Sequence, residues 1–235
     1  MRHWVIGDVH GELTCLEKLV SKIPPKDRLI FVGDLIDRGP ESFETVVWVK
    51  KCRRAACVMG NHEYLMLTEG AAIFQTVKAG HPPRFDTLWC RNGGIATLRS
   101  YGLVELIEGR PRACYDRTAL QHFEAHLTWM ANLPLYLELP VKKANRPVVV
   151  SHAPVATHWH MRLSEAMSQT FRDMALWNRR EPDENAPVFN IFGPIRPPRS
   201  VPIFNPTTSM WIRDVIDVKK EWESLVPTVL KRVRF

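Results

Sequence analysis

The chain has 235 residues, of which 45% are hydrophobic and 24% charged, and it carries a formal net charge of +7 at pH 7. That length suits one α/β domain with a full core, and the absence of a long apolar run argues against a transmembrane helix. The positive charge forms no basic patch with interleaved aromatic residues, so we do not expect nucleic-acid binding.

The first predicted strand is residues 4–6, an apolar run that ends in G-D-V-H-G at residues 7–11. Residues 1–3 lead straight into this strand, so we expect no signal peptide. Apolar residues at helical spacing then predict a helix over 12–23, which is ended by two prolines. Asp8 and His10 are therefore expected in a turn at the carboxyl end of a strand.

The second predicted strand, residues 29–32, is an apolar run of the kind found in buried parallel sheets. The sequence G-D-L-I-D-R-G-P follows at 33–40 and contains Asp34, Asp37 and Arg38. Carboxylates this close together repel one another unless a cation holds them, so the stretch indicates a metal site. A second helix is predicted over 41–52.

The third predicted strand ends in G-N-H-E at residues 60–63, and a further helix is expected from residue 64. Asp8, Asp34 and Asn61 are 26 and 27 residues apart, close to the length of one strand–helix–strand unit. Three adjacent parallel strands would bring these residues together at one edge of a sheet. The spacing therefore predicts that the three polar turns form one site.

Further patterns follow in the second half of the chain. A W-C-R-N-G-G stretch begins at Trp89 and leads into T-L-R-S-Y-G, which we interpret as a helical region packed over the sheet. A helix is predicted over 120–132, and a turn followed by a strand over 133–139. The β-branched residues 148–150 predict another strand, which delivers His152 in an S-H-A-P turn. Residues 177–179 read W-N-R, and a last strand is predicted over 188–192.

The three turns G-D-V-H-G, G-D-L-I-D-R-G-P and G-N-H-E resemble the signature of the metallophosphoesterases, in particular their phosphoprotein phosphatase branch. The chain looks most like the small bacterial and lambda-phage serine/threonine phosphatases. The later W-x-x-N-G-G, S-H-A-P and W-N-R stretches resemble bacterial members too. The resemblance implies an α/β calcineurin-like metallophosphoesterase sandwich, with two mixed β-sheets flanked by helices.

The resemblance also implies a centre of two divalent metal ions. Asp8 and His10 would bind the first ion, Asn61 and His152 the second, and Asp34 would bridge both. Oxygen-rich ligands with one or two imidazoles favour Mn²⁺ or Fe over Zn²⁺ or Mg²⁺. We therefore expect two divalent ions, with manganese as the first choice.

Four side chains are expected to act on the substrate or beside it. His62 is placed to protonate the leaving oxygen, and Asp37 would hold its ring, although such a pair can also be a plain structural hydrogen bond. Arg38 and Arg179 would bind phosphate oxygens, which a planar guanidinium can do with two hydrogen bonds.

The resemblance stops after residue 193. The family places a G-H-T-P element after its last strand, whereas this chain has Gly193 followed by Pro194, whose side chain carries no ligand atom. We therefore divide the chain into a metallophosphoesterase domain, 1–193, and an atypical tail, 194–235. The tail holds eight Lys/Arg and four Asp/Glu, so 8 − 4 = +4 of the net charge lies there.

A frameshift would explain the tail. Residues 194–198 can be encoded so that removing the first two nucleotides gives His-Thr-Pro. The same frame forces Val-Asp from Met210, Trp211 and Ile212, because those nucleotides are not degenerate. Our hypothesis is that 194–235 is a shifted reading of the usual ending, which sequencing of the gene across this junction would decide.

The function implied is hydrolysis of phosphate monoesters, in particular phosphoserine or phosphothreonine in proteins. The first alternative is hydrolysis of dinucleoside polyphosphates, because close relatives share the same metal motifs. The second is a catalytically impaired remnant that only binds phosphate or a partner. We expect a monomer acting on a phosphoprotein or phosphopeptide, with no nucleic acid and no membrane. Five cysteines without C-x-x-C spacing suggest reduced thiols, hence the cytoplasm.

Overall fold

The computed structural model describes residues 2–180, 185–193 and 231–232. Its first half alternates strands and helices: β1 (His3–Ile6), α1 (Leu13–Val20), β2 (Arg28–Phe31), α2 (Ser42–Lys51) and β3 (Ala55–Cys57). The three strands pair in parallel, in the order β3-β2-β1, and the short β9 (Lys231–Arg232) pairs antiparallel with β1. This sheet is therefore mixed, as predicted.

A long helical segment follows β3. It consists of α3 (Asn61–Leu65), a π-helical turn (Met66–Gly70) and α4 (Ala71–Lys78). A second π-helical turn (Cys90–Gly94) leads into α5 (Ile95–Ser100), and the hairpin of β4 (Val104–Ile107) and β5 (Arg110–Ala113) precedes α6 (Arg117–Ala131). The hairpin was not predicted from the sequence; the two π-helical turns lie beside the site described below.

The second half of the chain forms the other sheet. β6 (Tyr136–Lys143) pairs antiparallel with β7 (Arg146–Ser151), and β7 pairs in parallel with β8 (Phe189–Phe192). Two 3₁₀ turns (Ala156–Leu163 and Glu165–Met167) and α7 (Ser168–Trp177) connect β7 to β8. The prediction of two mixed sheets flanked by helices is confirmed.

The two sheets pack face to face because their strands alternate. Val5 and Ile30 of the first sheet meet Val148, Val150 and Ile191 of the second in one buried cluster. Trp4, Ile6, Leu29 and Phe31 point the other way, into a larger core shared with the helices of the first half. On the far side of the second sheet, Val149 packs with Trp159 and Phe171. Period-two alternation therefore builds a layered sandwich.

No helix within residues 2–180, 185–193 and 231–232 is long and apolar enough to cross a membrane. The predicted domain boundary after residue 193 and the frameshift hypothesis both concern the tail, 194–235. Apart from residues 231–232, the tail lies outside the described residues. The boundary and the hypothesis remain predictions from the sequence.

Candidate metal centre and active site

The turns that follow β1, β2 and β3 lie against one another, as the strand spacing predicts. The backbone N–H groups of Val9 and His10 both donate to the carbonyl of Asp34, at 2.9 Å. A Cβ atom on Gly33 would lie 2.3 Å from the backbone nitrogen of Gly60, so the second and third turns can approach only because residue 33 is glycine. The parallel sheet thus collects the three motifs at its carboxyl edge.

Four of the predicted site residues have left-handed backbones. The φ angles are 48° at His10, 51° at Asp34, 73° at Asp37 and 70° at Arg38. A positive φ on a residue with a side chain is unfavourable, and surrounding contacts must hold it in place. Such strain is commonly found at functional sites.

Asp34 lies at the centre of the site, and its two carboxylate oxygens face different groups. Oδ1 is 3.7 Å from Nε2 of His152. Oδ2 is 3.9 Å from Nε2 of both His10 and His62. A carboxylate that presents one oxygen to each of two imidazole groups has the geometry of a bridging ligand, the role that the resemblance implied for Asp34.

The imidazoles of His10 and His152 are oriented like metal ligands. Each places Nδ1 2.9 Å from a backbone carbonyl, of Ile36 and Val32 respectively, so Nδ1 carries the hydrogen and Nε2 presents a lone pair to the site. Burial lowers the pKa of His10 to about 3 and also lowers that of His152. Both rings are therefore neutral, as metal ligands must be.

Asp8 supplies a buried acceptor without a hydrogen-bond partner. Its Oδ1 is shielded from solvent and accepts no hydrogen bond from the described residues. Burial, and then the charge of nearby Asp34, raises the pKa of Asp8. A buried carboxylate oxygen in this state is costly unless a cation compensates it. This oxygen and the neutral imidazoles fit divalent metal ions.

Two groups of side chains could each hold an ion. One consists of His10, Asp34 and His62, the other of Asp8, Asp34 and His152. Asn61 adjoins the second group, because its Oδ1 lies 2.7 Å from Nε2 of His152. The resemblance assigned Asp8 to the first ion, together with His10. Oδ2 of Asp8 lies 4.0 Å from Nε2 of His10, so Asp8 could bind an ion in either group. All five predicted ligands converge, and their division between two ions remains a prediction.

The predicted pair of His62 and Asp37 is formed. His62 donates its Nδ1–H to Oδ2 of Asp37 across 2.6 Å, and both side chains are buried. Burial alone would lower the pKa of His62, but the charges of Asp34 and Asp37 outweigh it and raise the value to about 9. This environment stabilises an imidazolium whose Nε2 points into the site.

Arg38 lies across the two imidazoles. Its guanidinium nitrogens are 2.7 Å from Nε2 of His10 and 3.1 Å from Nε2 of His62. When His62 carries a hydrogen on Nε2 it cannot accept from Arg38, and two positive groups then face each other. An anion between them would relieve this repulsion, which agrees with the predicted role of Arg38 in phosphate binding.

Arg179 is less closely placed. It is exposed, and one of its guanidinium nitrogens donates to the carbonyl of Asn178 at 3.1 Å. Its charge nevertheless contributes to lowering the pKa of His152, so the two side chains are close enough to interact electrostatically. The hydrogen bond of Arg179 is to its neighbour in the chain, and the role of Arg179 in phosphate binding stays a prediction.

Glu63 supports the site by binding the backbone of the second and third turns. Its buried carboxylate accepts from the backbone N–H groups of Asp34 and Leu35 at 2.8 Å and of Gly60 at 2.9 Å. From the sequence, we expected Glu63 to be either a residue that supports the metal ligands or a residue at a helix start, and not a ligand itself. The available signal was a glutamate three residues after Gly60, the residue that caps the N-terminus of α3, because a glutamate at that position can bind the backbone N–H of the capping residue. Its reach to the second turn could not be read from the sequence.

Trp89 and Thr97 of the W-C-R-N-G-G-I-A-T stretch contact Asp37, and neither contact was predicted from the sequence. Trp89 donates its indole N–H to the carboxylate of Asp37, at 2.9 Å from Oδ2 and 3.1 Å from Oδ1. The hydroxyl of Thr97 donates to Oδ1 of Asp37 at 2.6 Å. The region does pack over the sheet as a helical cap, and it also contacts the Asp37–His62 pair.

The sequence of this chain matches the profile of the calcineurin-like phosphoesterases over residues 1–189. The chain belongs to that family. This result confirms the family and the fold that the motifs implied. It applies to the part of the chain that precedes the atypical tail.

Individual relatives divide between two activities. The symmetrical bis(5'-nucleosyl)-tetraphosphatase of Shewanella sp. (strain W3-18-1) is 30% identical over 165 residues, which cover 68% of this chain and 47% of that protein. Serine/threonine-protein phosphatase 1 of Salmonella typhimurium is 38% identical over 97 residues, 40% of this chain and 39% of that protein. The chain spans about half the length of the tetraphosphatases it matches.

Solved structures give only distant similarity. A metallophosphoesterase from Sphaerobacter thermophilus has 22% identity and a TM-score of 0.38, covering 65% of this chain and 46% of the other. A serine/threonine phosphatase from Saccharomyces cerevisiae has 16% identity and a TM-score of 0.40, covering 80% and 48%. The family assignment therefore rests on the sequence profile.

Proposed function

We propose that this protein is a dinuclear-metal phosphomonoester hydrolase whose substrates are phosphoserine or phosphothreonine side chains of proteins. The observation that supports this most directly is the position of Asp34, which presents one carboxylate oxygen to His152 and the other to His10 and His62. Family membership supports phosphoester hydrolysis as the reaction class.

The side chains present would hold two ions. Asp8, His10 and Asp34 would bind one, and Asp34, Asn61 and His152 the other; we propose Mn²⁺, with Fe, Zn²⁺ or Mg²⁺ as other candidates. Bound divalent ions neutralise phosphate charge and supply an activated water at neutral pH. The neutral imidazoles and the unpartnered oxygen of Asp8 support this use of the site.

The protein's own groups would then position the ester and manage one proton. Arg38 would bind two phosphate oxygens through its two outer nitrogens, which now lie against His10 and His62. Arg179 would approach the phosphate from the His152 side. His62, held by Asp37, would give a proton to the leaving oxygen of serine or threonine, which is a poor leaving group when unprotonated.

A second candidate is cleavage of dinucleoside polyphosphates. It is favoured by the Shewanella tetraphosphatase, which matches a larger share of the chain than the Salmonella protein phosphatase does. The same two metal groups and Arg38 would serve both reactions, because in each reaction water attacks a phosphorus atom. The two proposals differ in the leaving group and in the part of the substrate outside the metal centre.

We propose a cytoplasmic monomer that acts on phosphoproteins, without nucleic-acid or membrane partners. All five cysteines lie in the described residues and are free, which supports a reducing compartment.

The test is turnover of two substrates by the full chain after metal removal and reloading. Phosphate release from a phosphoserine peptide and cleavage of diadenosine tetraphosphate are measured with Mn²⁺, Fe²⁺, Zn²⁺ and Mg²⁺ in turn, and Asp34→Asn serves as the inactive control. A higher kcat/KM for the peptide supports the first proposal, and a higher value for diadenosine tetraphosphate supports the second. A metal-loaded chain that cleaves neither would overturn both and leave a binding-only remnant.

A further inference from the structure

We propose that Trp89 and Thr97 are positioning residues for the reaction, because together they fix the carboxylate that orients His62. This inference rests on the proposed function, in which His62 protonates the leaving oxygen. It assigns an active-site role to the W-C-R-N-G-G-I-A-T stretch, which the mechanism above does not use.

Thr97 holds Asp37 at two points. Its hydroxyl donates to Oδ1 of Asp37 at 2.6 Å and accepts from the backbone N–H of the same residue at 2.9 Å. Ser42 also accepts from that N–H, at 3.1 Å. Because Asp37 has a left-handed backbone with φ at 73°, these contacts stabilise a conformation that would otherwise be unfavourable.

Trp89 occupies a slot that two glycines leave open. A Cβ atom on Gly70 would lie 2.8 Å from its ring, and one on Gly94 would lie 2.5 Å from it. The indole is fully buried between these π-helical turns, and its N–H meets the carboxylate of Asp37. This slot thus directs the indole N–H, the only polar group of the Trp89 side chain, at the carboxylate of Asp37.

The bonding of Asp37 leaves its carboxylate little freedom. Oδ1 accepts from Thr97 and Trp89, and Oδ2 accepts from Trp89 and His62. Each oxygen has donors in fixed directions, so the carboxylate cannot rotate without breaking a buried hydrogen bond. The 2.6 Å contact then sets the angle of the His62 ring and the direction of its Nε2.

Packing alone does not explain these two residues. Valine would fill the volume of Thr97 and phenylalanine most of the volume of Trp89, and neither would bring a buried polar group that needs a partner. Both polar atoms are directed at the one carboxylate that contacts His62. This convergence is what a positioning role requires.

The experiment compares Thr97→Val and Trp89→Phe with wild type on two monoesters, a phosphoserine peptide and p-nitrophenyl phosphate. The nitrophenolate leaves readily without a proton, so only the peptide needs His62 as an acid. We expect each variant to lower kcat on the peptide about tenfold more than it lowers kcat on p-nitrophenyl phosphate. General acid catalysis as a whole contributes roughly 10²–10⁴-fold to a rate, and a misdirected His62 should lose only part of that contribution. Metal content should be unchanged.

Two controls separate this effect from a general loss of packing. Thr45→Val makes the same chemical change at a buried hydroxyl without a hydrogen-bond partner among the described residues, and should leave the substrate ratio unchanged. Thr97→Ser keeps the hydroxyl and should restore most of the peptide activity. If Thr97→Val does not fold, Trp89→Phe and Thr97→Ser still give the comparison.

A double variant provides the decisive result. In a His62→Asn background, Thr97→Val should cause no further change in the peptide-to-nitrophenyl ratio, because the group being positioned is gone. Equal losses on both substrates in Thr97→Val, or a full additional change of the ratio in the double variant, would overturn the inference. A wild-type protein that hydrolyses neither monoester would instead refute the proposed function.

Discussion

The carboxylate of Glu63 accepts a hydrogen bond from the backbone N–H of Asp34 across 2.8 Å. A residue of the third turn therefore fixes the backbone of the residue at the centre of the site. The same carboxylate also binds Leu35 and Gly60, so it connects the second turn to the third. Three backbone donors around one buried acceptor make Glu63 important for stability as well as for geometry.

Glu63→Gln should destabilise the fold by about 1–3 kcal/mol, the cost of leaving a buried hydrogen-bonding group unsatisfied. The amide has one acceptor atom instead of two, and its NH₂ group would face backbone donors. Urea unfolding of the metal-free protein measures the change. Glu124→Gln, which removes an exposed ion pair with Lys78, is the matched control and should cost at most about 1 kcal/mol. Equal costs for both would contradict the assignment.

Asp34→Asn should abolish turnover and bring the bound metal well below two ions per chain. The amide keeps the shape of the side chain but removes the charge and one acceptor oxygen that face the imidazoles. Metal content by elemental analysis and phosphate release are the measurements. Asp116→Asn is a suitable control, because Asp116 caps α6 and asparagine caps equally well. Wild-type metal content in Asp34→Asn would show that Asp34 does not bridge.

His62→Asn should leave the metals bound and slow hydrolysis of a phosphoserine peptide by about 10²–10⁴-fold. The loss should be smaller for p-nitrophenyl phosphate, whose leaving group needs little protonation. His160→Asn, at an exposed histidine, should change neither rate. Equal losses on the two substrates would remove His62 from the acid role.

Stability should fall as the pH drops through the range in which His126 is neutral in the folded protein but protonated in the unfolded chain. Burial, with Lys50 and His122 nearby, lowers the pKa of His126 from 6.5 to about 4, and its Nδ1 lies 2.7 Å from the Tyr101 hydroxyl. The unfolded chain therefore binds the extra proton between these two values, which favours unfolding.

Replacing His126 by glutamine should make the free energy of unfolding less dependent on pH over that range. Urea titrations at several pH values measure this slope for the wild type and for the variant. An unchanged slope in the His126 variant would show that this ring does not contribute.

Pro194→His should raise the affinity for the second ion. Residue 194 follows Gly193, whose N–H donates to the carbonyl of His152 and whose Cβ position lies 3.3 Å from Oδ1 of Asp8. Residue 194 itself lies outside the described residues, but the family places a histidine at this position in its G-H-T-P element. We therefore expect the added imidazole to act as a ligand, and each added ligand strengthens a metal site.

The measurement is a Mn²⁺ titration of wild type, Pro194→His and a chain with the shifted reading frame restored, following both bound metal and turnover. Of the three proteins, we expect the wild type to need the highest Mn²⁺ concentration to bind its second ion and to have the lowest turnover. If the wild type matched the restored chain at low Mn²⁺, residue 194 would replace nothing essential and our interpretation of the tail would be wrong.

The sequence by itself determined the ingredients of the site and its place in the fold. Short apolar runs with polar turns at fixed spacing indicated parallel strands ending at one edge, and the structure confirms this for β1, β2 and β3. Local sequence carries that information because strand burial and turn chemistry are properties of neighbouring residues. The identities of Asp8, His10, Asp34, Asn61 and His152 followed from the motifs, and the structure brings all five together.

Only the tertiary structure decided how these side chains are held. The contacts of Trp89 and Thr97 with Asp37 join residues 52 and 60 positions apart, and those of Glu63 with the second turn span 28 and 29 positions. No local pattern encodes the direction of an indole N–H or a carboxylate across such separations. Nor does it show that the positive φ angles fall on Asp34, Asp37 and Arg38 rather than on glycines alone, because distant hydrogen bonds offset that strain.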